Sequence, residues 1–148
     1  MPYSNLLKGR CSELNRAYFI TTVVHNREPV FNDLYCAREL VACMRNIHQS
    51  GVASSLSWVI MPDHFHWLLQ LNKKTLSQVI NQLKGVSSYN INLRLSRQGR
   101  FWQKSYYDRA IRDSENIKDV SRYIVANPLR TGLVQEIGHY SHWDAVWM

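Results

Sequence analysis

Residues 64–71 (HFHWLLQL) alternate between two kinds of side chain with a period of two. One set of positions holds only large apolar side chains, namely Phe65, Trp67, Leu69 and Leu71. The other set holds His64, His66, Leu68 and Gln70. Because successive side chains of a strand point to opposite faces, the pattern predicts a strand with one fully apolar face. The two histidines then lie side by side on the less buried face.

The rest of the chain divides into further strand-like and helix-like segments. Aromatic and β-branched residues predict strands at 18–24, 52–61 and 101–111. Apolar residues at helical spacing predict three helices: from Asn32 or Asp33 to Gly51, from Thr75 or Ser77 through about Leu95, and from a cap at Asp113 or Ser114 to Pro128. The order favours an α+β fold, with a ferredoxin-like or RRM-like antiparallel sheet packed with helices.

Length and composition exclude several classes of protein. We expect one domain over residues 1–148, with an irregular lead-in at 1–16 and a C-terminal tail from about residue 133. With 45% hydrophobic residues the chain is not of the disordered type. The longest apolar run is 40–44, whereas a membrane span needs roughly 20 residues, and the N-terminus lacks a signal-peptide pattern.

The cysteines and the charge indicate the compartment and the class of partner. Cys11, Cys36 and Cys43 are an odd number at spacings that suit neither a disulfide framework nor a Cys-x-x-Cys zinc site, so we expect a reducing cytoplasm. The net charge is +7, and no acidic residue lies between Asp63 and Asp108. A field of one sign over this length favours nucleic acid as a partner, and a merely solvated basic surface is the alternative.

Two pairs of residues can carry chemistry. His64 and His66, on one face of a strand, have a spacing that can chelate a metal ion, although exposed or hydrogen-bonded strand histidines have the same pattern. Tyr123 and Asn127 are four residues apart and stack on one face of the last predicted helix. Taken alone, the tyrosine is also typical of amphipathic packing, and an asparagine before proline is typical of a helix end.

Together the two pairs describe a nuclease site. Two imidazole nitrogens and an amide oxygen can hold a divalent ion that keeps open positions for phosphate oxygens. A tyrosine hydroxyl beside that ion can attack the phosphorus. The resulting phosphotyrosine link keeps the energy of the broken bond, so the strand can be rejoined. A strand-transferring enzyme needs this property, whereas a simple hydrolase does not.

Four segments resemble a known family. Residues 61–69 (MPDHFHWLL) resemble the His-hydrophobic-His motif of the single-tyrosine HUH transposases, which are insertion-sequence-200-like. Residues 122–134 (RYIVANPLRTGLV) resemble the tyrosine helix of one branch, the REP-associated tyrosine transposases. Residues 101–103 (FWQ) and 106–112 (YYDRAIR) also match that branch. The similarity extends over about residues 16–147.

The resemblance implies a role for each matching position. It implies that His64, His66 and Asn127 bind Mg²⁺ or Mn²⁺, and that Tyr123 is the nucleophile that forms a 5′-phosphotyrosine and frees a 3′-hydroxyl. It also implies a metal-dependent endonuclease that nicks and transfers single-stranded DNA at REP-like palindromic hairpins. The family fold is ferredoxin-like. A monomer is expected, with a dimer as the alternative, in the bacterial cytoplasm at the nucleoid.

The acid-free stretch and its flank supply candidate DNA contacts. Basic side chains expected at phosphates are Lys84, Arg94, Arg97, Arg100 and Lys104. Arg109 and Arg112 are either further DNA contacts or solvated charges. Trp102, Tyr106 and Tyr107 are candidates for stacking on unpaired bases, but alternate residues of a strand face inward, so at least one of the two tyrosines is expected in the core. The alternatives are a hairpin-binding protein without transposition activity, an RNA-binding sheet and a zinc hydrolase.

Overall fold

Five strands form a single antiparallel sheet in a computed structural model that describes residues 13–112, 116–133 and 142–145. In chain order, β1 to β5 are Ala17–Val23, Ala53–Met61, His64–Leu71, Tyr107–Ala110 and Trp143–Ala145. Within the same residues, α1 to α4 are Leu34–Ser50, Leu76–Leu95, Ile117–Val125 and Asn127–Arg130. The strand order β4-β1-β3-β2-β5 and the succession βαββαβ confirm the predicted α+β, ferredoxin-like architecture.

Each face of the sheet carries its own core. The larger core includes Phe65 and Trp67 of β3 together with buried side chains of α1 and α2. The smaller core lies on the opposite face, where Leu68 of β3 packs with Val59 of β2 and Ile124 of α3. The period-two pattern of β3 is thus confirmed, and the histidine face is partly covered by the last helices.

The first two helices begin where their capping residues predict. Asp33 precedes α1, and its side chain accepts hydrogen bonds from the backbone N–H groups of Tyr35 and Cys36. Thr75 precedes α2 and forms a reciprocal capping box with Gln78. Gly51, with a φ of 82°, ends α1 in the left-handed conformation that glycine adopts without strain.

The strand predicted at 101–111 forms only in the second half of that segment. Only Tyr107–Ala110 is a strand, whereas Phe101 and Trp102 are consecutive and both buried in the larger core. Two neighbouring residues of a regular strand cannot both face the same core. The segment before β4 therefore crosses the end of the sheet, with a single bridge between Trp102 and Val24.

The last helix also differs from the prediction. Asn116 caps α3, while the expected caps Asp113 and Ser114 lie outside the described residues. α3 ends at Val125, shortly before Pro128 as predicted, but Pro128 then lies in the first turn of a further short helix, α4, which was not predicted. A proline is compatible with this position, since the first N–H groups of a helix have no partner within the helix.

The C-terminal region contributes an unpredicted fifth strand. β5 pairs with β2, placing Trp143 opposite Val59 at the edge of the sheet. Residues 13–16 precede β1 without regular structure, and the rest of the expected lead-in, with Cys11, lies outside the described residues. Among the helices that are described, none combines the length and apolar character needed to cross a membrane.

Candidate active site

β3 presents His64 and His66 on the face of the sheet that α3 partly covers. Their ring centroids are 5.0 Å apart and their planes meet at 76°. The residue between them, Phe65, is fully buried on the other face. The prediction that the two imidazoles are neighbours on the less buried face is confirmed.

The two histidines have different hydrogen-bond partners. His64 Nδ1 lies 2.6 Å from Asp63 Oδ1, and the second oxygen of that carboxylate lies 3.3 Å from Arg27 Nη1. His66 Nδ1 lies 2.8 Å from the hydroxyl oxygen of Thr21, across the β1–β3 pairing. In both rings the Nδ1 atom is engaged, so Nε2 is the nitrogen that can bind a metal ion.

The contacts of Asp63 lower the pKa of its carboxyl group. Its partial burial raises the pKa of the carboxyl group, but the hydrogen bond and charge of His64 and those of Arg27 act in the opposite direction. The net result is a pKa below the ordinary value of aspartate. At neutral pH the group is a carboxylate, so it accepts a hydrogen bond from the Nδ1–H group of His64.

α3 and the start of α4 bring the second pair of residues over the same face. α3 is held to the sheet by Ile124 in the smaller core and by a buried hydrogen bond of 3.0 Å between Ser57 and Ser121. Tyr123 projects outward with 61% of its surface exposed, while Asn127 is 8% exposed. The nucleophile candidate is therefore accessible and the amide candidate is held within the fold.

An open cavity of about 620 Å³ joins the two pairs. Its lining consists of Phe19, His66, Arg109, Asp119, Val120, Tyr123 and Asn127. His64 adjoins it through its ring contact with His66. The structure thus brings together three of the four residues predicted for the reaction centre around one cavity, with the fourth beside it.

The donor set suits a divalent cation. Within residues 13–112, 116–133 and 142–145, no group of three His, Cys, Asp or Glu side chains is placed to hold a metal ion. A third protein ligand for an ion at His64 and His66 can come from an uncharged oxygen instead. The buried amide of Asn127, which lines the cavity with His66, is such a donor.

The predicted DNA contacts separate into distinct groups. Arg109 lines the cavity, and Arg100, Lys104 and Arg112 are exposed. The other three basic residues make contacts within the protein. Lys84 donates to two backbone carbonyl groups, Arg94 packs over the Tyr35 ring, and Arg97 pairs with Glu28.

Two aromatic candidates for base stacking belong to the core instead. Trp102 is 4% exposed and donates to Ser87, and Tyr106 is 5% exposed and bonds to Ser77. The expectation that these rings stack on bases is corrected, because their faces are packed against protein. Tyr107 is 48% exposed, which fits the expectation that one of the two tyrosines is in the core.

Sequence analysis missed several residues of this site. Phe19 stacks on His66 with ring centroids 5.4 Å apart, and Thr21 bonds to the same ring. Neither contact was predicted, because both depend on the pairing of β1 with β3. Asp119 could have been predicted from the sequence, because it lies four residues before Tyr123, just as Tyr123 lies four residues before Asn127.

Known proteins resemble this chain in sequence. The family model described as IS200-like transposase matches residues 13–127. A Haemophilus influenzae protein named as a REP-associated tyrosine transposase is 25% identical over 131 residues, covering 81% of this chain and 74% of its own length. The REP-associated tyrosine transposase of Escherichia coli is 24% identical over 86 residues, covering 57% of this chain and 49% of its own length.

Solved structures share the fold. A REP-associated tyrosine transposase bound to a REP hairpin aligns with a TM-score of 0.76 and 18% identity, over 90% of this chain and 79% of that one. A transposase from Deinococcus radiodurans R1 aligns with a TM-score of 0.57 and 22% identity, over 79% of this chain and 94% of that one. Since the family model spans most of the chain, this protein belongs to the IS200-like transposases, a family of DNA-cleaving enzymes.

Proposed function

We propose that this protein nicks and rejoins single-stranded DNA beside a REP-like palindromic hairpin, with Tyr123 as the nucleophile. The observation that carries the proposal is the shared cavity, in which Tyr123 and Asn127 from the last helices meet His66 from the central strand. These residues come from parts of the sequence that only the fold brings together. Each has the chemical type that a metal-assisted phosphoryl transfer needs.

The chemical step is a transesterification. The Tyr123 hydroxyl oxygen forms a bond to the scissile phosphorus, and the bond from phosphorus to the 3′ oxygen breaks. The products are a 5′-phosphotyrosine and a DNA 3′ oxygen that takes up a proton. Attack of a 3′-hydroxyl on the phosphotyrosine reverses the step and joins a strand, with no net change in the number of phosphodiester bonds.

Residues around Tyr123 support this attack. A tyrosine hydroxyl is largely protonated at neutral pH, so the reaction needs a proton acceptor. Asp119 is the one carboxylate among the residues that line the cavity and lies one turn before Tyr123, so it can take that proton. Arg109 lines the same cavity and supplies positive charge where the phosphate gains negative charge.

His64, His66 and Asn127 would hold the divalent ion, which we propose to be Mg²⁺ or Mn²⁺. When bound, such an ion polarises the phosphate and neutralises developing charge. Asp63 orients the His64 ring through its Nδ1 atom. With three protein donors, such an ion would still be able to bind phosphate oxygens.

The proposed DNA partner follows from the charge and from the fold relative that binds a REP hairpin. Arg109 offers a phosphate contact at the cavity, and the exposed Arg100, Lys104 and Arg112 offer others nearby in sequence. We propose that the protein acts as a monomer and is found at the nucleoid through its contact with DNA. No membrane partner is proposed.

The proposal is tested by a nicking assay on labelled single-stranded DNA that carries a genomic palindromic hairpin with unpaired flanks. The unmodified protein is compared with Tyr123→Phe, with the double variant His64→Ala/His66→Ala, and with Tyr89→Phe. Tyr89 is a matched control because it is 69% exposed on α2, on the other side of the sheet. Each protein is assayed with Mg²⁺, with Mn²⁺ and with a chelator.

We expect cleavage that requires the metal and leaves a covalent protein–DNA adduct on a denaturing gel. The cleavage rates of Tyr123→Phe and of the double histidine variant are expected to fall by at least about 100-fold, because one lacks the nucleophile and the other the metal ligands. Tyr89→Phe is expected to cleave at the unmodified rate. Cleavage by Tyr123→Phe at the unmodified rate would contradict the nucleophile and favour hydrolysis by a metal-bound water. Tight hairpin binding without cleavage by any variant would favour a binding protein without transposition activity.

A further inference from the structure

Thr21 contacts the His66 ring directly. The two residues face each other in the antiparallel pairing of β1 with β3, and the Thr21 hydroxyl oxygen lies 2.8 Å from His66 Nδ1. Phe19, two residues earlier on β1, stacks on the face of the same ring at 5.4 Å between centroids. The edge and one face of His66 are therefore both held by β1.

The partner of His66 differs in kind from that of His64. The ionised Asp63 carboxylate only accepts hydrogen bonds, so it selects the form of His64 that carries a proton on Nδ1. A threonine hydroxyl can either accept from Nδ1–H or donate to Nδ1. Thr21 therefore holds the position of the His66 ring whichever nitrogen carries the proton.

Metal binding selects one of these two arrangements. A neutral imidazole that coordinates through Nε2 carries its proton on Nδ1. That proton needs an acceptor, and hydrogen-bond acceptors behind a ligating histidine fix both the proton position and the ring orientation. In the structure the Thr21 hydroxyl lies at hydrogen-bond distance from His66 Nδ1 and can meet this need.

We propose that Thr21 is a positioning residue, whose hydroxyl accepts the Nδ1 proton of His66 and so directs Nε2 toward the divalent ion. The inference rests on the proposed function, because it takes His66 as a metal ligand. It adds a requirement that the His-hydrophobic-His motif does not contain, since Thr21 lies on another strand.

Three variants separate this role from a structural one. Thr21→Val removes the hydroxyl but keeps the branched shape, which suits a strand. Thr21→Ser keeps a hydroxyl. Thr22→Val is the matched control, because Thr22 is fully buried on the opposite face of β1, and among the described residues its hydroxyl oxygen has no hydrogen-bond partner.

The first measurement is Mn²⁺ binding to each full-length protein by titration calorimetry, together with its thermal unfolding. We expect Thr21→Val to weaken Mn²⁺ affinity about tenfold, the low end of what loss of such an acceptor costs. Thr21→Ser is expected to stay within about threefold of the unmodified protein, and Thr22→Val to match it. The melting temperature of Thr21→Val is expected to be unchanged or higher, which excludes unfolding as the cause.

The second measurement follows the histidine ring nitrogens by ¹⁵N NMR in the Mg²⁺-loaded protein at one fixed pH. In Thr21→Val the ring signals of His66 are expected to shift, while those of His64, held by Asp63, stay in place. Equal Mn²⁺ affinities with unchanged His66 signals would overturn the proposal. Failure of the unmodified protein to bind Mn²⁺ would instead overturn the metal site itself, and the role of Thr21 with it.

Discussion

At the scale of single residues, Asp63 links the charge of the site to the stability of the fold. Its carboxylate contacts both His64 and Arg27, and these contacts lower its pKa despite partial burial. A lowered pKa in the folded state means that the group stabilises the fold above its unfolded pKa of about 4. This stabilisation is lost as the pH falls through the lower, folded-state value.

Asp63→Asn keeps a hydrogen-bonding side chain but removes the charge. We expect it to reduce the free energy of unfolding by about 1 kcal/mol at pH 7, which is below the range for fully buried charged hydrogen bonds because the group is partly exposed. The difference between the two proteins should shrink as the pH falls from 5 toward 3. Urea unfolding of both proteins at several pH values between 7 and 3 measures it.

Asp119→Asn is the control for this experiment. Asp119 pairs with Arg122 at 3.5 Å, and 68% of the Asp119 side chain is exposed. Exposed pairs of this kind add little to stability, so its effect should be small at every pH. A difference between Asp63→Asn and the unmodified protein that does not vary with pH would contradict the role given to the carboxylate.

Residue roles could be predicted from the sequence only where a short-range pattern decides them. The alternation in β3 correctly placed His64 and His66 on one face, because side-chain direction in a strand follows position alone. The partner of His66 could not be predicted, since Thr21 meets it through a register between two distant strands. The prediction that Trp102 contacts DNA was wrong, since the residue is buried. The sequence could not show this, because an aromatic side chain is equally common in a core and on a surface that stacks on bases.

At the scale of elements, one lysine holds the irregular segment before β4. Lys84 of α2 donates to the backbone carbonyl oxygens of Gln103 at 2.9 Å and Ser105 at 2.8 Å. Its ammonium group also lies 5.8 Å from the centre of the Tyr106 ring. These contacts direct the chain from the end of the sheet into β4, whose Arg109 lines the cavity.

Lys84→Met retains most of the aliphatic length but removes the donor. We expect a loss of about 2 kcal/mol in the free energy of unfolding, because two carbonyl groups lose a charged partner. Affinity for single-stranded DNA should change less than twofold under conditions where the variant is folded. Denaturant unfolding and fluorescence anisotropy with labelled DNA measure the two quantities.

Lys104→Met is the comparison, since Lys104 is exposed and belongs to the same basic stretch. It is expected to leave stability unchanged. If Lys84→Met instead weakened DNA binding strongly while stability stayed the same, Lys84 would be a phosphate contact, as the sequence alone suggested. The two lysines thus distinguish a structural charge from a binding charge.

Element boundaries were predictable where a cap or a breaker marks them. Asp33, Thr75 and Gly51 mark helix ends by local hydrogen bonding or backbone conformation, and the structure confirms all three. The end of α3 before Pro128 was predicted, but α4 was not, because a proline that ends one helix can also begin the next. β5 was missed because three residues are too few to show the alternation of a strand, and because its partner β2 is distant in sequence.

At the scale of the whole molecule, the sheet separates two surfaces with different tasks. One face packs against α1 and α2 and encloses the larger core. The other face carries the histidines, the cavity and α3. The net charge of +7 predicted a polyanionic partner but not the surface that meets it, because charge counted along a chain contains no information on faces.

Two arginines test which surface meets DNA. Arg109 lies in the cavity on the α3 side, opposite Phe19 in the sheet. Arg94 lies on α2, where its guanidinium packs 4.0 Å from the centre of the Tyr35 ring. Both residues carry the same charge, so their removal changes the net charge of the protein equally. Any difference between the variants therefore reports where DNA binds.

We expect Arg109→Ala to weaken binding of single-stranded DNA and to make it less sensitive to salt. Each phosphate contact on a single strand contributes about 0.7 to the slope of log K against log salt concentration, so the slope should fall by about that amount. Arg94→Ala should leave the slope unchanged, because its charge faces the other side of the sheet. Anisotropy titrations between 50 and 300 mM salt, roughly the range over which such slopes are read, measure both. Equal reductions for the two variants would show that DNA contacts both surfaces, and the cavity would then be one part of a longer path around the sheet.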